Sequence, residues 1–348
     1  MTAAAPEASP GSASGLESLP PVYFALVMAT GIVSVACHLA GLATLADSLL
    51  VANVLAYLVL WALYLVRLWR FPRAVLADLR DHARAPGYFT IIAGTCVLGA
   101  QLVVVRTVPG AAVALWFLAL VLYVTLVYGI FAALITRSPK PSIERGLNGG
   151  WLVAVVATQG VAVLGGQVHP FLPDFERIVL FTALAFWLFG GMLYVWIMAM
   201  IFQRYFFTPL DPAEMGAPYW IDAGAVAIST LAGDVLLSNV PHDPLLVLLH
   251  PFLAGSTLLF WATATWWIPM LILFGVWRHG IRRFPLRYEP GYWGMVFPLG
   301  MYTACSFELG DILELPWLHS IASVFVWIAL FAWTATFAGL VSNLARRG

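Results

Sequence analysis

The sequence predicts an all-α integral membrane protein with ten transmembrane helices arranged as five tandem helical hairpins. Hydrophobic residues make up 62% of the 348 positions and charged residues 10%, and the mean hydropathy is +0.91, a composition typical of chains that fold in lipid. The apolar residues are grouped in runs close to the roughly 20 residues that a spanning helix needs. The predicted helices comprise residues 21–41, 46–66, 87–105, 111–135, 149–166, 178–202, 218–237, 245–277, 290–309 and 318–342.

The two ends of the chain differ in composition from the part between them. Residues 1–20 are rich in Ala, Ser, Gly and Pro and contain no Lys or Arg, so they lack the basic start and apolar core of a secretory signal peptide. We predict a flexible N-terminal tail over 1–20, a ten-helix transmembrane domain over 21–342 and a short C-terminal tail over 343–348. Both tails are predicted to be cytoplasmic.

The basic residues predict the orientation of the helices. Of the 17 Lys and Arg residues, all except Arg106 and Arg177 lie in the connections that follow helices 2, 4, 6 and 8 or in the C-terminal tail. The positive-inside rule then places both termini in the cytoplasm, which requires an even number of spans, and we predict a multi-pass protein of the cell membrane. Since no Arg or Lys falls inside a predicted span, we expect no buried salt bridge that captures an anion.

A repeat marks the odd-numbered helices. Each begins with a small residue or proline followed by an aromatic ring, at intervals close to the length of a two-helix hairpin. We therefore predict that the odd helices share one orientation and surround a central pore, with the even helices outside. The alternative is the aromatic belt that any membrane protein places at its interfaces. The five opening rings are Tyr23, Tyr88, Trp151, Tyr219 and Tyr292.

Shared orientation would bring the amino ends of the odd helices together. Their helix dipoles would then attract anions toward a central axis. The basic loops on the same side favour anions as well, although such loops would also set the topology of a cation transporter. Recurrent glycines, together with Pro298, are predicted sites of helix kinks or close packing. These glycines are Gly31, Gly94, Gly160, Gly224 and Gly294.

Hydroxyl side chains are candidates for lining the pore. Thr30, Thr95 and Thr158 each lie seven residues after the opening ring of helices 1, 3 and 5, at one matched depth. Hydroxyls that face an axis can replace part of the hydration shell of an ion. The alternative is that each hydroxyl bonds the backbone of its own helix. Helices 7 and 9 carry their hydroxyls deeper, at Ser229, Thr230 and Thr303.

Phe297 is the candidate gate. It lies five residues after the opening ring of helix 9, and it is the only ring among the matching positions of the odd helices. Pro298 follows it, leaves the carbonyl of Gly294 without its helical partner and should kink the helix. A bulky apolar ring on a kinked pore helix can close a pore by excluding water; the alternative is an ordinary core phenylalanine. The residues at the matching positions are Met28, Ala93, Val156 and Gly224.

Few ionisable groups fall inside the predicted spans. Asp222 lies in the first turn of helix 7, where the helix dipole accounts for it. Asp234 and Glu308 lie near the outer boundary and are candidates for proton coupling, with solvation at the rim as the alternative. The three cysteines and seven histidines show no disulfide or zinc spacing, and the net charge is zero. We therefore predict no metal, no cofactor and no nucleic-acid partner.

The chain resembles the tellurite-resistance and C4-dicarboxylate transporter family, which includes plant slow-type anion channels, a yeast malate permease and fungal sulfite exporters. The resemblance extends from Pro21 to about Ala338 and is carried by PVYFALVMATGIVSVA, YWIDAGAVAISTLAG, WATATWWIPMLIL and YWGMVFPLGMY. It implies five hairpins around a pore, a homotrimer and an occluding phenylalanine at Phe297. The long phosphorylatable tails of the plant channels have no counterpart in the sequence, so we do not expect kinase-gated activation of that type.

Transport of small anions, such as malate and related C4-dicarboxylates or inorganic anions, is the function that we predict, with the lipid bilayer as surroundings. A sulfite or tellurite efflux protein of the same fold is the alternative. An intramembrane enzyme is the rival class, and it would need a cluster of His, Asp or Glu, or a Ser/Lys pair, at membrane depth. His38 is isolated in the sequence, and His250 stands beside Pro251 without an acidic neighbour.

Overall fold

The computed structural model describes residues 15–346, and this part of the chain is built of helices and their connections without a β-strand. The predicted all-α class is confirmed. We number the ten long helices in chain order. They are α1 (Pro21–Leu39), α2 (Ala43–Arg70), α3 (Ala85–Arg106), α4 (Pro109–Thr136), α5 (Gly149–Phe171), α6 (Pro173–Phe207), α7 (Ala217–Ser238), α8 (Pro244–Ile281), α9 (Trp293–Ile312) and α10 (Trp317–Ala345).

Within residues 15–346, nine of these helices are long and apolar enough to cross a membrane. The remaining long helix is α9, which has 20 residues but carries Pro298 and Glu308 among small and polar side chains. Nearly all of α9 is buried inside the protein. Because protein rather than lipid surrounds it, this helix does not need the hydropathy of a lipid-facing span.

The odd-numbered helices begin in the same way. Each starts with a 3₁₀ turn that contains its opening ring, and in α9 this turn precedes the α-helix at Pro290–Tyr292. In all of them but α5, a proline occupies one of the first two positions of the turn. Proline has its φ fixed near the helical value and needs no hydrogen-bond partner there, so it is well suited to a helix start.

The even-numbered helices are longer than the sequence predicted. The apolar run predicted α2 over residues 46–66, but the helix extends to Arg70. In the same way α6 continues to Phe207 and α8 to Ile281, beyond their predicted ends. The predicted ends were wrong because they were placed at the first charged residue, whereas a helix continues while its charged side chains reach water or a partner.

The five odd helices contact one another in a closed ring. Each packs against the next odd helix along the chain, and α9 packs against α1 to complete the ring. Each even helix packs outside the ring against the odd helix that precedes it and, more lightly, against the one that follows. The most apolar stretch of α1, α3, α5 and α7 is 72–89% buried, against 17–50% for the even helices. We refer to the two sets as the inner and outer helices.

The chain segment before α1 lies against α2. The Tyr64 hydroxyl donates to the carbonyl of Pro20 at 2.6 Å, and Arg67 Nη2 donates to the carbonyl of Glu17 at 2.9 Å. Residues 15–20 of the predicted N-terminal tail are therefore held by these contacts, while residues 1–14 lie outside the described residues. At the other end α10 continues to Ala345, and residues 347–348 lie outside them too.

Candidate functional site

A cavity of about 210 Å³ lies inside the ring where the inner helices begin. All five inner helices or the turns that start them contribute to its wall, and its charged lining residue is Arg84. No Asp or Glu is among the described residues that line it. The amino ends of five helices therefore surround this inner cavity, and their dipoles make its potential positive. Its lining includes Pro21, Ala25, Met28, Gly87, Thr90, Gly150, Val153, Ile221 and Gly294.

A second cavity, of about 200 Å³, lies further along the same helices. All five inner helices line this outer cavity too, and its charged lining residue is Glu308. On each inner helix the residues that line the outer cavity follow those that line the inner one. The two cavities are therefore stacked along the axis of the ring. The lining of the outer cavity includes Ile32, Cys96, Ala100, Gly160, Ile228 and Met301.

A layer of buried side chains separates the cavities. On α9, Gly294 lines the inner cavity, Met301 lines the outer one, and Phe297 lies three residues after the first and four before the second. Residues three and four apart share a helix face, so Phe297 faces the axis between the cavities, and it is fully buried. The same spacing places Ala93, Val156 and Gly224 in this layer, and Met28 borders it from the inner cavity.

The predicted pore-lining threonines face away from the axis. Trp333 of α10 donates its indole N–H to Thr30 Oγ1 at 2.9 Å, and the hydroxyls of Tyr57 and Tyr123 lie 3.0 and 2.9 Å from Thr95 and Thr158. None of these threonines is among the described residues that line either cavity. Their matched depth reflects a repeated bond from each of these outer helices to the inner helix that comes next around the ring, and the pore-lining prediction is corrected.

The deeper hydroxyls bond the backbone of their own helices. Ser229, Thr230 and Thr303 each donate to the carbonyl four residues earlier, at 2.7, 2.9 and 2.8 Å. Hydroxyls in membrane helices commonly satisfy themselves in this way. They also lie outside the lining of both cavities in the part of the chain that the structure describes. The axial walls are formed mainly by apolar and small side chains.

Three carboxylates of the inner helices, Asp222, Asp234 and Glu308, fall inside the predicted spans. Asp222 accepts a hydrogen bond from the Tyr205 hydroxyl of α6, a partner that the sequence did not indicate. Asp234 is buried, and within residues 15–346 neither of its oxygens has a hydrogen-bond partner. Glu308 lies in the wall of the outer cavity and close enough to Asp234 to act on it electrostatically. Of the two carboxylates predicted for proton coupling, Glu308 therefore lines the outer cavity, and Asp234 lies within electrostatic range of it.

Several arginines that the sequence placed in loops are buried at the ends of outer helices. Arg67 of α2 bonds Asp78 at 2.6 Å and the hydroxyl of Tyr88 at 3.1 Å. Arg204 of α6 bonds Glu214 at 2.7 Å and the hydroxyl of Tyr219 at 2.7 Å. These are salt bridges within the protein, whereas the prediction concerned a salt bridge that captures an anion. These pairs tie an outer helix to the start of the next inner helix and leave neither guanidinium free for a transported ion.

His82 adds little positive charge at this end of the ring. His82 lies in the connection between α2 and α3, beside residues that line the inner cavity. Burial, followed by the neighbouring charge of Arg137, lowers the pKa of His82 from its ordinary value. Its imidazole is therefore mostly neutral at neutral pH, and Arg84 is the permanent cation in the wall of the inner cavity.

Comparison with known sequences identifies the family. The sequence profile of the voltage-dependent anion channel family, SLAC1, matches residues 18–341. The chain belongs to this family. It is the family of transporters that the sequence motifs predicted, so the predicted membership is confirmed. The protein is a multi-pass membrane protein from a family of anion transporters and channels, not of enzymes.

Individual relatives extend this comparison. The chain is 26% identical over 328 residues to an uncharacterized transporter of Methanocaldococcus jannaschii, and the match covers 92% of each sequence. A second uncharacterized transporter of that organism is 24% identical over 335 residues, covering 92% of this chain and 94% of the relative. An uncharacterized membrane protein of Mycobacterium tuberculosis is 39% identical over 153 residues, covering 44% of this chain and 77% of the relative.

Gly224 of α7 lies on the axial face opposite Phe297 and Pro298 of α9. A Cβ on Gly224 would lie 2.7 Å from Pro298 Cγ and 3.4 Å from Phe297 Cδ1. The proline ring cannot rotate away as a flexible side chain can. Gly224 therefore lets α7 approach α9 at the level of Phe297, and this glycine, predicted as a kink, acts as a packing contact.

We predict that Gly224→Ala destabilises the protein and changes its anion flux, because either α9 or the ring of Phe297 must move. Gly255→Ala is the matched control, since Gly255 lies on the exposed face of α8 and a Cβ there meets no atom within 4 Å. Melting temperature in detergent and flux in liposomes should change for Gly224→Ala and stay near the parent values for Gly255→Ala. Equal behaviour of the two variants would contradict a special role of Gly224.

Proposed function

We propose that this protein carries small anions along the central axis of the inner ring, from the inner cavity past Phe297 to the outer cavity. The observation that carries the proposal is the stacking of two cavities, each lined by all five inner helices, on either side of the layer that contains Phe297. In this proposal the ring of Phe297 closes the axis at rest, and transport requires that it move aside.

The charge of the inner cavity supports an anion rather than a cation. Five helix amino ends surround it, and the described residues of its wall include no carboxylate. Arg84 of that wall pairs with Asp78 at 2.6 Å, so the helix amino ends carry the argument. Helix starts bind anions through their unpaired N–H groups and dipoles. Such a site attracts an anion without holding it as tightly as a buried ion pair, and passage through a pore requires binding that is weak enough for release.

The remaining parts of the proposal concern topology and assembly. We propose ten spans in five hairpins, with the inner helices starting at the cytoplasmic face of the plasma membrane and both termini in the cytoplasm. The support is the positive-inside distribution of Lys and Arg. Assembly as a homotrimer is proposed on the family resemblance.

Malate and related C4-dicarboxylates are the proposed substrates, with sulfite, tellurite, nitrate and chloride as the competing ones. Each cavity has room for a small anion together with some of its water. The apolar and small side chains of the walls provide few groups that would fit one anion only. A panel of these ions, tested on one purified sample in liposomes, decides among them.

The test of the proposed function measures anion flux in liposomes that contain the purified protein. Ala100 lines the outer cavity, so Ala100→Trp should fill it and lower flux to near the level of protein-free liposomes. Ala52→Trp adds the same side chain on the exposed face of α2 and should leave flux unchanged. Absence of flux for every anion with folded parent protein, or equal flux in the two variants, would contradict the axial pathway.

A further inference from the structure

The ends of the outer helices carry a series of arginines at equivalent places. Arg67, Arg204 and Arg278 each lie near the end of an outer helix, before the opening ring of the next inner helix. All three are buried, at 1%, 2% and 5% exposure. In the first two, a carboxylate of the chain lies 2.6 or 2.7 Å from the guanidinium, which balances the buried charge.

Arg278 has no such partner. Within residues 15–346 its guanidinium makes neither a hydrogen bond nor an ion pair, and its buried Nε is unpaired. Its nearest described aromatic contact is the ring of Phe284, 4.5 Å from the guanidinium carbon. A buried arginine remains charged, and removing such a charge from water without a partner is costly. The third arginine of the series, Arg278, is therefore buried without the carboxylate partner that Arg67 and Arg204 have.

A cavity of about 160 Å³ lies beside this arginine. It is separate from the axial cavities and lies where the end of α8 meets the starts of α7 and α9. Apart from Arg278 and His279 its described wall is formed by aromatic, aliphatic and methionine side chains and glycines. The wall includes Met215, Trp220, Phe274, Gly275, Tyr292 and Met295. A buried cation thus faces a space with apolar walls.

We propose that this cavity binds the phosphate group of an anionic phospholipid, with Arg278 as its partner. A guanidinium binds phosphate oxygens through paired, charge-assisted hydrogen bonds. The cavity lies at the end of membrane-spanning helices, where headgroups are found, and exposed Leu286 borders it. The apolar wall suits the glycerol and acyl portion that accompanies a lipid phosphate, whereas a free phosphate ion would gain nothing from it.

Among the described residues, Glu289 is the carboxylate that could pair with Arg278 in place of a lipid phosphate. Its Oε1 and Arg278 Nη1 both lie 3.5 Å from the point where a Cβ on Gly216 would be. Glu289 is exposed and makes no ion pair with Arg278 in the structure. If Glu289 were the true partner, Glu289→Gln would increase lipid binding from a low parent level, and the proposal would be overturned.

The experiment is a titration of the full-length protein in detergent, followed by native mass spectrometry. Dioleoyl phosphatidylglycerol is the anionic lipid, dioleoyl phosphatidylcholine the zwitterionic reference, and inorganic phosphate and glycerol phosphate the free anions. The parent should bind at least one phosphatidylglycerol about tenfold more tightly than phosphatidylcholine, since the choline cation beside the phosphate of phosphatidylcholine is repelled by a guanidinium. Millimolar free phosphate should not displace it.

Three variants separate the site from the general attraction of basic loops for anionic lipid. Arg278→Gln should lose the preference for phosphatidylglycerol. Arg282→Gln removes a neighbouring exposed charge, which lies over the ring of Trp277. This variant should keep the preference for phosphatidylglycerol. Gly275→Leu keeps every charge and fills the cavity, where a Cβ on Gly275 meets no atom within 4 Å, and it too should lose the preference.

Each outcome decides the proposal. Retained preference in both Arg278→Gln and Gly275→Leu overturns the site, and displacement by free phosphate overturns the lipid as its occupant. If Arg278→Gln fails to fold, judged by size-exclusion chromatography, Gly275→Leu with its full set of charges decides alone. The readout is lipid binding rather than flux, so this result is independent of whether the axial pathway carries anions.

Discussion

Replacement of Phe297 with alanine is expected to raise anion flux by about tenfold or more. Phe297 is fully buried in the layer between the two axial cavities, and the other residues of that layer are smaller. Removing the ring leaves alanine, glycine, valine and methionine at this level, so the cavities can join into a water-filled path. A tenfold increase corresponds to a barrier lowered by about 1.4 kcal/mol, which is small beside the cost of excluding water from a charged ion.

The measurement is the rate of anion efflux from liposomes, normalised to the amount of folded protein. Normalisation is necessary because a phenylalanine-to-alanine change in a core typically costs about 3–5 kcal/mol of stability. Phe307→Ala is the matched control. It lies on the same helix, contacts the ring of His319 of α10 and is not among the described residues that line either cavity.

Phe307→Ala should therefore leave the flux per folded protein unchanged, and Phe297→Leu, which keeps much of the bulk, should fall between the parent and Phe297→Ala. If Phe297→Ala has the flux of the parent at normal expression, the ring does not close the path. The stacked cavities would then require a different barrier, and Phe297 would be an ordinary core residue.

The carboxylates beside the outer cavity are expected to make transport depend on pH. Glu308 lines that cavity, and Asp234 lies close to it without a hydrogen-bond partner among the described residues. In their charged forms both would repel an anion in the outer cavity, and a repulsion acts strongly where little water screens it. Protonation removes the repulsion, so flux in the parent should rise as the pH falls.

The amide variants test this directly. Glu308→Gln and Asp234→Asn are neutral at every pH, so each should weaken the pH dependence of flux and raise flux at neutral pH, and the double variant should abolish the dependence. Asp47→Asn is the control, since Asp47 lies on the outer helix α2, is paired with Arg106 at 2.7 Å and is not among the described residues that line either axial cavity. A double variant with the pH profile of the parent would remove both carboxylates from the transport mechanism.

Whether protons move with the anion requires one further measurement on the same samples. An outward anion gradient in lightly buffered liposomes should alkalinise or acidify the lumen if protons are carried, and leave the lumen unchanged if the carboxylates only modulate a channel. Loss of a lumenal pH change in the double amide variant would assign proton transfer to this pair.

The sequence alone determined the helical class, the starts of the inner helices and the register of the layer around Phe297. Each of these is a local property. A spanning helix is specified by its own apolar length, and the opening turn by proline or small residues followed by a ring. The residues of the layer around Phe297 could be predicted because they occupy equivalent positions in the five repeats. Equivalent positions lie at the same depth when all five inner helices start at the same level.

The direction of side chains was decided only by the tertiary structure. Thr30, Thr95 and Thr158 occupy equivalent positions in three of the repeats, but such a position does not say whether a side chain faces the axis or a neighbouring helix. Tyr57 and Tyr123 lie 38 and 35 residues before the threonines that they bond. Trp333 lies 303 residues after Thr30, and it reaches Thr30 because α9 packs against α1 and closes the ring. Hydropathy carries no signal for this choice, because apolar neighbours surround both faces of an inner helix.

The roles of the arginines were likewise decided by packing. Arg67, Arg204 and Arg278 look alike in sequence, as basic residues that end apolar runs, and topology accounts for all three. In the structure two are paired with carboxylates and one is buried without a partner. The difference depends on where the loop after each outer helix places its acidic residue, and a loop of that length has no conformation fixed by its own sequence.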